Sequence, residues 1–78
     1  MVVEVRLYAT LRRYATNGVH GVFSLEVAMD CTVGELVESI SIDLAEIHII
    51  MINGVSSTLE SILHEGDRLG LFPAVGGG

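Results

Sequence analysis

The sequence predicts an α+β domain in which one main helix lies across a mixed sheet of four to five strands. Apolar residues alternate with others in Val3–Leu7 and again in Phe23–Val27, the period of a half-buried strand. A capped amphipathic segment that starts at Thr32 predicts the helix. Seventy-eight residues make one small domain, with a thin core.

A short helix is expected directly after the first strand. Thr10 can cap it, and Leu11, Tyr14 and Ala15 then share one face. Asn17-Gly18 is a typical helix stop. The second strand follows this stop.

The main helix begins with a capping box at Thr32-Val33-Gly34-Glu35. The threonine hydroxyl can accept the amide of Glu35, whose carboxylate can reach back to the amide of Thr32. Five apolar residues form one helical stripe: Val33, Leu36, Val37, Ile40 and Leu44. Gly34 indicates a close approach of this helix to the sheet.

The apolar run Ile49–Ile52 predicts a strand that ends at an Asn53-Gly54 turn. Three apolar residues further on suggest a short helical turn: Leu59, Ile62 and Leu63. A turn at Glu65-Gly66-Asp67 then leads into the last strand, Arg68–Phe72. The first and last strands are expected to pair in the middle of the sheet, so that the tail leaves a firm central element.

The predicted domain covers residues 1–73, and a flexible tail covers residues 74–78. This tail ends in three glycines, the residue that loses most backbone freedom on ordering. Five residues beyond Pro73 reach at most roughly 17 Å when extended. Such a thread suits a carboxylate presented inside a narrow partner site, whereas a frayed end or a cloning remnant is the alternative.

The charge balance excludes some partners. Ten acidic residues face four arginines and no lysine, and the formal net charge of -6 argues against nucleic acid. It favours partners with basic surfaces, although acidity also serves solubility. Without lysine, lysine-linked chains of this protein cannot form.

We see no signal peptide and no apolar run of membrane-spanning length, so a cytoplasmic protein is expected.

The other reactive side chains give weaker signals. Cys31 is the single cysteine, so an internal disulfide is impossible. It is either a small half-buried filler, which we expect, or a thiol activated by the helix start. His20, His48 and His64 are scattered without metal-ligand spacing, and no metal or bound cofactor is predicted.

The terminal carboxylate has chemistry of its own. It is ionised at neutral pH, with a reference pKa of about 3.3–3.7, and is a poor electrophile. Adenylation by ATP on a partner enzyme would turn one of its oxygens into a leaving group. Attack by sulfur then gives a thiocarboxylate, and attack by a lysine amine gives an isopeptide. Sulfur delivery and protein tagging therefore share one tail.

Four segments resemble a known family: Val5–Arg12, Cys31–Leu36, Ile52–Gly54 and Leu63–Gly78. The family is that of the ubiquitin-like β-grasp sulfur carriers of the MoaD/ThiS type, and the similarity is greatest to the small subunit of molybdopterin synthase. The closing segment is the most specific of the four, with Gly-Asp, an apolar strand, Phe-Pro and a terminal diglycine. Ala74 stands where the family has a second proline, and Gly76 where it has serine or alanine.

The resemblance implies the site residues. Gly78 would be adenylated and then thiocarboxylated, as the end of the functional diglycine. Five residues would seat the tail in partners: Phe72, Pro73, Val75, Gly76 and Gly77. The catalytic residues and the ATP would belong to the partner.

The resemblance also implies the partners. These are a MoeB/ThiF-type adenylating enzyme, a MoaE-like large subunit of molybdopterin synthase, and a sulfurtransferase or cysteine desulfurase. The sulfur would enter the molybdenum or tungsten pterin cofactor. The alternatives are a carrier for thiamine thiazole or cysteine, a ubiquitin-like modifier of lysines, and a binding module with an idle tail.

Overall fold

A computed structural model describes residues 1–15 and 20–74. Five strands form one sheet: β1 Val2–Leu7, β2 Val22–Glu26, β3 Ile47–Ile52, β4 Val55–Ser57 and β5 Arg68–Pro73. Their order in the sheet is β2-β1-β5-β3-β4, and the α-helix α1 spans Val33–Ser39. The predicted α+β fold with a five-stranded mixed sheet and one main helix is confirmed.

The first and last strands form the centre of the sheet, as predicted. β1 and β5 run parallel, with Val5 opposite Leu69 and Leu7 opposite Leu71. β2 and β3 lie antiparallel on the outer sides of this pair. The four paired side chains of β1 and β5 named above are all buried, which gives the two central strands a common core face. The chain therefore leaves β5 from the middle of the sheet.

The capping box of α1 forms as predicted. The amide of Glu35 donates to Thr32 Oγ1 at 3.2 Å, and the amide of Thr32 donates to Glu35 Oε1 at 2.9 Å. Gly34, however, approaches a loop and not the sheet: its amide bonds to the Leu59 carbonyl at 2.9 Å, and a Cβ there would lie 3.3 Å from that oxygen.

The predicted helical stripe ends earlier than expected. α1 ends at Ser39, and Leu44 lies in a separate 3₁₀ turn, Leu44–Glu46, with 48% of its surface exposed. Ser41 adopts a φ of 61°, which breaks the helix. Ile42, which the predicted stripe did not include, is buried in the core with 4% of its surface exposed.

The short helix after β1 is a 3₁₀ helix, Ala9–Tyr14, and Thr10 does not cap it. The N-cap position is Tyr8, with no side-chain cap, and Thr10 lies inside the helix. Leu11 is fully buried, as its place on the apolar face predicted. The predicted stop at Asn17-Gly18 lies outside the described residues.

The segment that contains Leu59 and Leu63 is not helical, so the predicted helical turn is wrong. Its backbone bonds to the chain at the start of α1: the amide of Val33 donates to the Ser61 carbonyl, and the amide of Leu63 donates to the Cys31 carbonyl at 2.8 Å. One local backbone bond is present, from the Ser61 amide to the Thr58 carbonyl at 3.1 Å, and it closes a turn that does not continue as a helix. Leu63 is nonetheless buried, in the same core cluster as Val33 and Leu36 of α1.

Candidate functional site

The two faces of the sheet differ in what they carry. Side chains alternate along a strand, so that Val5 and Leu7 on β1 point into the core while Arg6 points the other way. We call the side opposite the core the open face. On the three middle strands and the residue that follows β1, it includes eight residues: Glu4, Arg6, Tyr8, Ile49, Met51, Arg68, Gly70 and Phe72.

An aromatic pair lies on the open face at the end of the central strands. The rings of Tyr8 and Phe72 are stacked, with centroids 4.2 Å apart and planes 6° apart. Gly70 lies beneath them, because a Cβ there would lie 3.5 Å from both rings. The missing side chain therefore makes room for the stack, and the stack covers the backbone of β5.

The chain leaves the sheet beside this pair. Pro73 is the last residue of β5 and pairs with Ile47, and the amide of Tyr8 donates to the Leu71 carbonyl at 3.2 Å. A shallow groove of about 340 Å³ lies next to the exit, and its lining includes Tyr8, Ile49 and Phe72. Ile49 is 45% exposed there. An exposed aliphatic and two aromatic rings thus form an apolar surface where the tail begins.

The structure positions part of the predicted site. Phe72 is half-buried in the aromatic stack, and Pro73 closes the strand. Val75, Gly76, Gly77 and Gly78 lie outside the described residues. The roles assigned to these six residues stay predictions.

Sequence reasoning assigned no role to Tyr8 or Ile49. Tyr8 continues the outward positions of β1, so the alternation itself was a signal for it. Ile49 belongs to a run that is apolar on both faces, and its pairing with Phe72 places it on the open face. Because all four residues of the run Ile49–Ile52 are apolar, the sequence could not show which of them face outward.

The other reactive groups are ordinary. Cys31 is 8% exposed within the core, and burial raises the pKa of its thiol, which disfavours the thiolate. This supports the interpretation of Cys31 as a small half-buried filler.

Across the described ranges there is no cluster of three or more potential metal-ligating side chains. None of the helices described is long and apolar enough to cross a membrane.

A parallel central strand pair, one helix on the core face and a chain exit from the central strand define a ubiquitin-like β-grasp protein. The sequence model of the Mut7-C ubiquitin family matches residues 1–76, and the chain belongs to this family. The match confirms the predicted ubiquitin-like group, and structural similarity extends it to MoaD-like proteins. No curated protein sequence matches the chain significantly.

Three solved structures illustrate this similarity. SAMP1 from Haloferax volcanii is 26% identical over the whole of both chains, with a TM-score of 0.75. A candidate molybdopterin converting factor subunit 1 from Pyrococcus furiosus is 26% identical over 95% of this chain and 98% of its own, with a TM-score of 0.73. One chain of a protein-protein complex of molybdopterin-converting factor subunits 1 and 2 from Helicobacter pylori is 23% identical over both whole chains, with a TM-score of 0.63, and shares the fold.

Proposed function

We propose that this chain is a sulfur carrier of the MoaD type, with Gly78 as the residue that carries the sulfur. The observation that supports this most is the chain exit: a central strand delivers the tail beside an apolar surface that includes Tyr8 and Phe72. The 26% identity to a candidate molybdopterin converting factor subunit 1, over almost the full length, gives this geometry its chemical context.

The proposed reaction takes place on partner enzymes. The Gly78 carboxylate attacks the α-phosphate of ATP, and pyrophosphate leaves. The terminal sulfur of a persulfide on a sulfurtransferase or cysteine desulfurase then displaces AMP at the carbonyl carbon, which gives an acyl disulfide. A second thiol attacks the enzyme's sulfur in this acyl disulfide, so that the thiocarboxylate leaves and the two thiols end as a disulfide. The glycines let the tail enter a narrow site, because they have no Cβ that would collide with the walls of that site. We place these ATP-dependent steps in the cytoplasm.

The proposed acceptor of the sulfur is a pterin bound by a large partner subunit. The Helicobacter pylori structure is a complex of subunits 1 and 2 of molybdopterin-converting factor, and it supports a partner of this kind here. The apolar surface beside the exit would contact that subunit while the tail enters it. An adenylating enzyme would use the same exit at an earlier step.

A second function has support of its own, namely the modification of other proteins. The likeness to SAMP1 is as high in identity as that to the molybdopterin factor, and it covers both chains completely. SAMP1 is a small archaeal modifier protein. The same adenylated Gly78 would then be attacked by a lysine amine of a target. Because this chain has no lysine, such conjugates would join it to other proteins through their lysines.

Intact-mass spectrometry of the chain, co-expressed with the adenylating enzyme and sulfur source of its own organism, tests the proposal. We expect a gain of about 16 Da, oxygen exchanged for sulfur, and its loss when Gly77 and Gly78 are deleted. The same spectrum shows whether Gly78 ends the working protein. An unchanged mass with an active partner and ATP would contradict the sulfur-carrier function.

The modifier function has a separate readout. Trypsin cleaves after Arg68, so a modified lysine would carry the ten-residue peptide Leu69–Gly78. A search for this remnant across the proteome distinguishes the two functions. A thiocarboxylate without remnants favours the carrier, and remnants that disappear with the Gly77 and Gly78 deletion favour the modifier.

A further inference from the structure

We propose that the open face docks a segment of a partner protein that presents a carboxylate beside an apolar side chain, with Arg68 as the cation that receives the carboxylate. The inference rests on the proposed function in taking the occupant to be a partner protein. It goes further in stating the chemistry of the partner surface, and its test does not use the tail.

The docking surface is a groove of about 280 Å³ on the open face. Arg6 and Arg68 line it, together with Tyr8, Met51, Gly70 and Phe72. The aromatic stack and Met51 offer apolar contact, while the arginines are the charged groups of the lining. None of the ten acidic side chains of the chain, all within the described residues, lines the groove.

One of the two cations is already used within the chain. Arg6 Nε donates to Glu4 Oε2 at 2.5 Å. The pKa of Arg6 is raised, first by this hydrogen bond and then by the charge of Glu4. The charges of this pair cancel at a distance, so that Arg6 adds little attraction for an incoming anion.

Arg68 is the cation that remains. Among the described residues no carboxylate lies within ion-pair distance of its guanidinium, and that group donates no hydrogen bond to them. Its backbone is nevertheless held, because the amide of Arg68 donates to Asn53 Oδ1 at 3.0 Å. Glu4 lies opposite Arg68 in the register of β1 and β5, but its carboxylate is bonded to Arg6. A positioned backbone with an exposed guanidinium that forms no ion pair among the described residues suits recognition of a carboxylate.

The neighbouring Asp67 does not neutralise Arg68, because its carboxylate is held elsewhere. Asn53 Nδ2 donates to one carboxylate oxygen at 2.9 Å, and the amide of His64 donates to the other at 2.8 Å. The Asp67 side chain is only 12% exposed. The turn thus directs the acid inward and leaves the base on the open face.

This local charge is opposite to that of the whole molecule. A net charge of -6 repels polyanions at long range but attracts a basic protein surface. Within that surface, the groove selects an acidic residue with an apolar neighbour. Such a partner binds in one position, with its acidic residue opposite Arg68. A uniformly basic surface would place a cation against Arg68 and would be repelled there.

Nitrogen-15 NMR titration of the full chain with two end-blocked peptides tests the inference. The peptides are Gly-Phe-Glu-Leu-Gly and its glutamine counterpart. We expect the glutamate peptide to shift the amides of Arg68 and Gly70 saturably and to bind about two- to fivefold more tightly, a preference that fades as salt is added. Equal binding of the two peptides, shifts centred on α1, or no saturable shift at millimolar peptide would each overturn the inference.

Three variants assign the effect to Arg68. Arg68→Gln is expected to remove the preference for glutamate. Met29→Glu lowers the net charge by the same amount at a site 74% exposed in the turn before α1, and it should keep the preference. The double variant Glu4→Gln/Arg6→Gln leaves the net charge unchanged and should keep it as well. Loss of the preference in Met29→Glu would show a long-range charge effect and contradict a docking site.

The two proposals can fail separately. If the tail gains no sulfur but the glutamate preference holds and depends on Arg68, the sulfur-carrier function is wrong and the docking surface stands. If the tail gains sulfur and the peptides bind equally, the docking inference alone is wrong.

Discussion

The two faces of the sheet are built from the same strands and carry different properties. On the core face, Leu69 and Leu71 of β5 are completely buried. One residue away on the same strand, Arg68 is exposed and Phe72 half-buried. The comparison shows how a chain of 78 residues separates stability from recognition: the period of two sends alternate side chains to opposite sides. Each face can therefore be changed without the other.

Substitution of neighbouring residues on β5 tests this separation most directly. Leu71→Ala should cost about 2–5 kcal/mol of unfolding free energy, since it leaves a cavity in the core. Phe72→Ala should cost about 1 kcal/mol, mainly the stacking on Tyr8. Urea denaturation measures both changes.

Charging of the tail should depend more on Phe72 than on Leu71, the reverse of their order in stability. At a temperature where both variants are folded, Phe72→Ala should reduce tail charging by the adenylating enzyme, and Leu71→Ala should not. Equal stability losses, or charging that follows stability alone, would show that the faces are not independent.

Gly21 and Gly70 are expected to differ in the stability that an alanine substitution costs. Gly21 adopts a φ of +79°, and a Cβ there would lie 2.5 Å from the Leu7 carbonyl oxygen, so Gly21→Ala should cost about 2 kcal/mol or more. Gly70 on the open face has ordinary contacts, with 3.5 Å to the nearest ring atoms. Gly70→Ala should then cost less than about 1 kcal/mol. Thermal unfolding of both variants checks the ranking, which a larger loss for Gly70→Ala would reverse.

The capping box supports the core face at its helix. Thr32→Ala should cost about 1 kcal/mol, because the amide of Glu35 loses its acceptor. Thr32→Ser keeps the hydroxyl and serves as the control. Urea denaturation should show both variants with the same slope against denaturant. A cost as large for serine as for alanine would point to packing of the methyl group instead.

The smallest effect on stability is expected from the surface ion pair of Arg13 with Glu46. The Tyr14 hydroxyl donates to Glu46 Oε2 at 2.5 Å and Arg13 pairs with the other oxygen, which together lower the pKa of Glu46. A lowered pKa in the folded state contributes stability that is complete above the unfolded value of about 4.5 and is lost as the pH falls through the folded pKa.

We therefore expect Tyr14→Phe to bring the Glu46 pKa back toward its usual value, because the hydroxyl is the largest cause of the shift. Carboxyl NMR titration between pH 2 and 6 measures it. An unchanged pKa in this variant would assign the shift to Arg13.

Local patterns were predictable where the structure depends on neighbours in sequence. The strand Val2–Leu7 follows from alternation, and the start of α1 follows from the Thr32 and Glu35 pattern. The end of α1 did not follow, because Ile42 enters the core and Leu44 does not. The segment around Leu59 also failed, since its backbone partners lie about thirty residues earlier, at Cys31 and Val33.

The sequence by itself determined the two-sided strands, the capped helix, the turn at Asn53-Gly54 and the charge of -6. These features depend on side-chain type and on spacing within a few residues. Only the tertiary structure decided that Tyr8 stacks on Phe72 and that Asp67 turns away from Arg68. The physical reason is that both contacts join separate parts of the chain: parallel pairing of β1 with β5 brings Tyr8 to Phe72, and pairing of β3 with β5 brings Asn53 to Asp67. No local pattern encodes either contact.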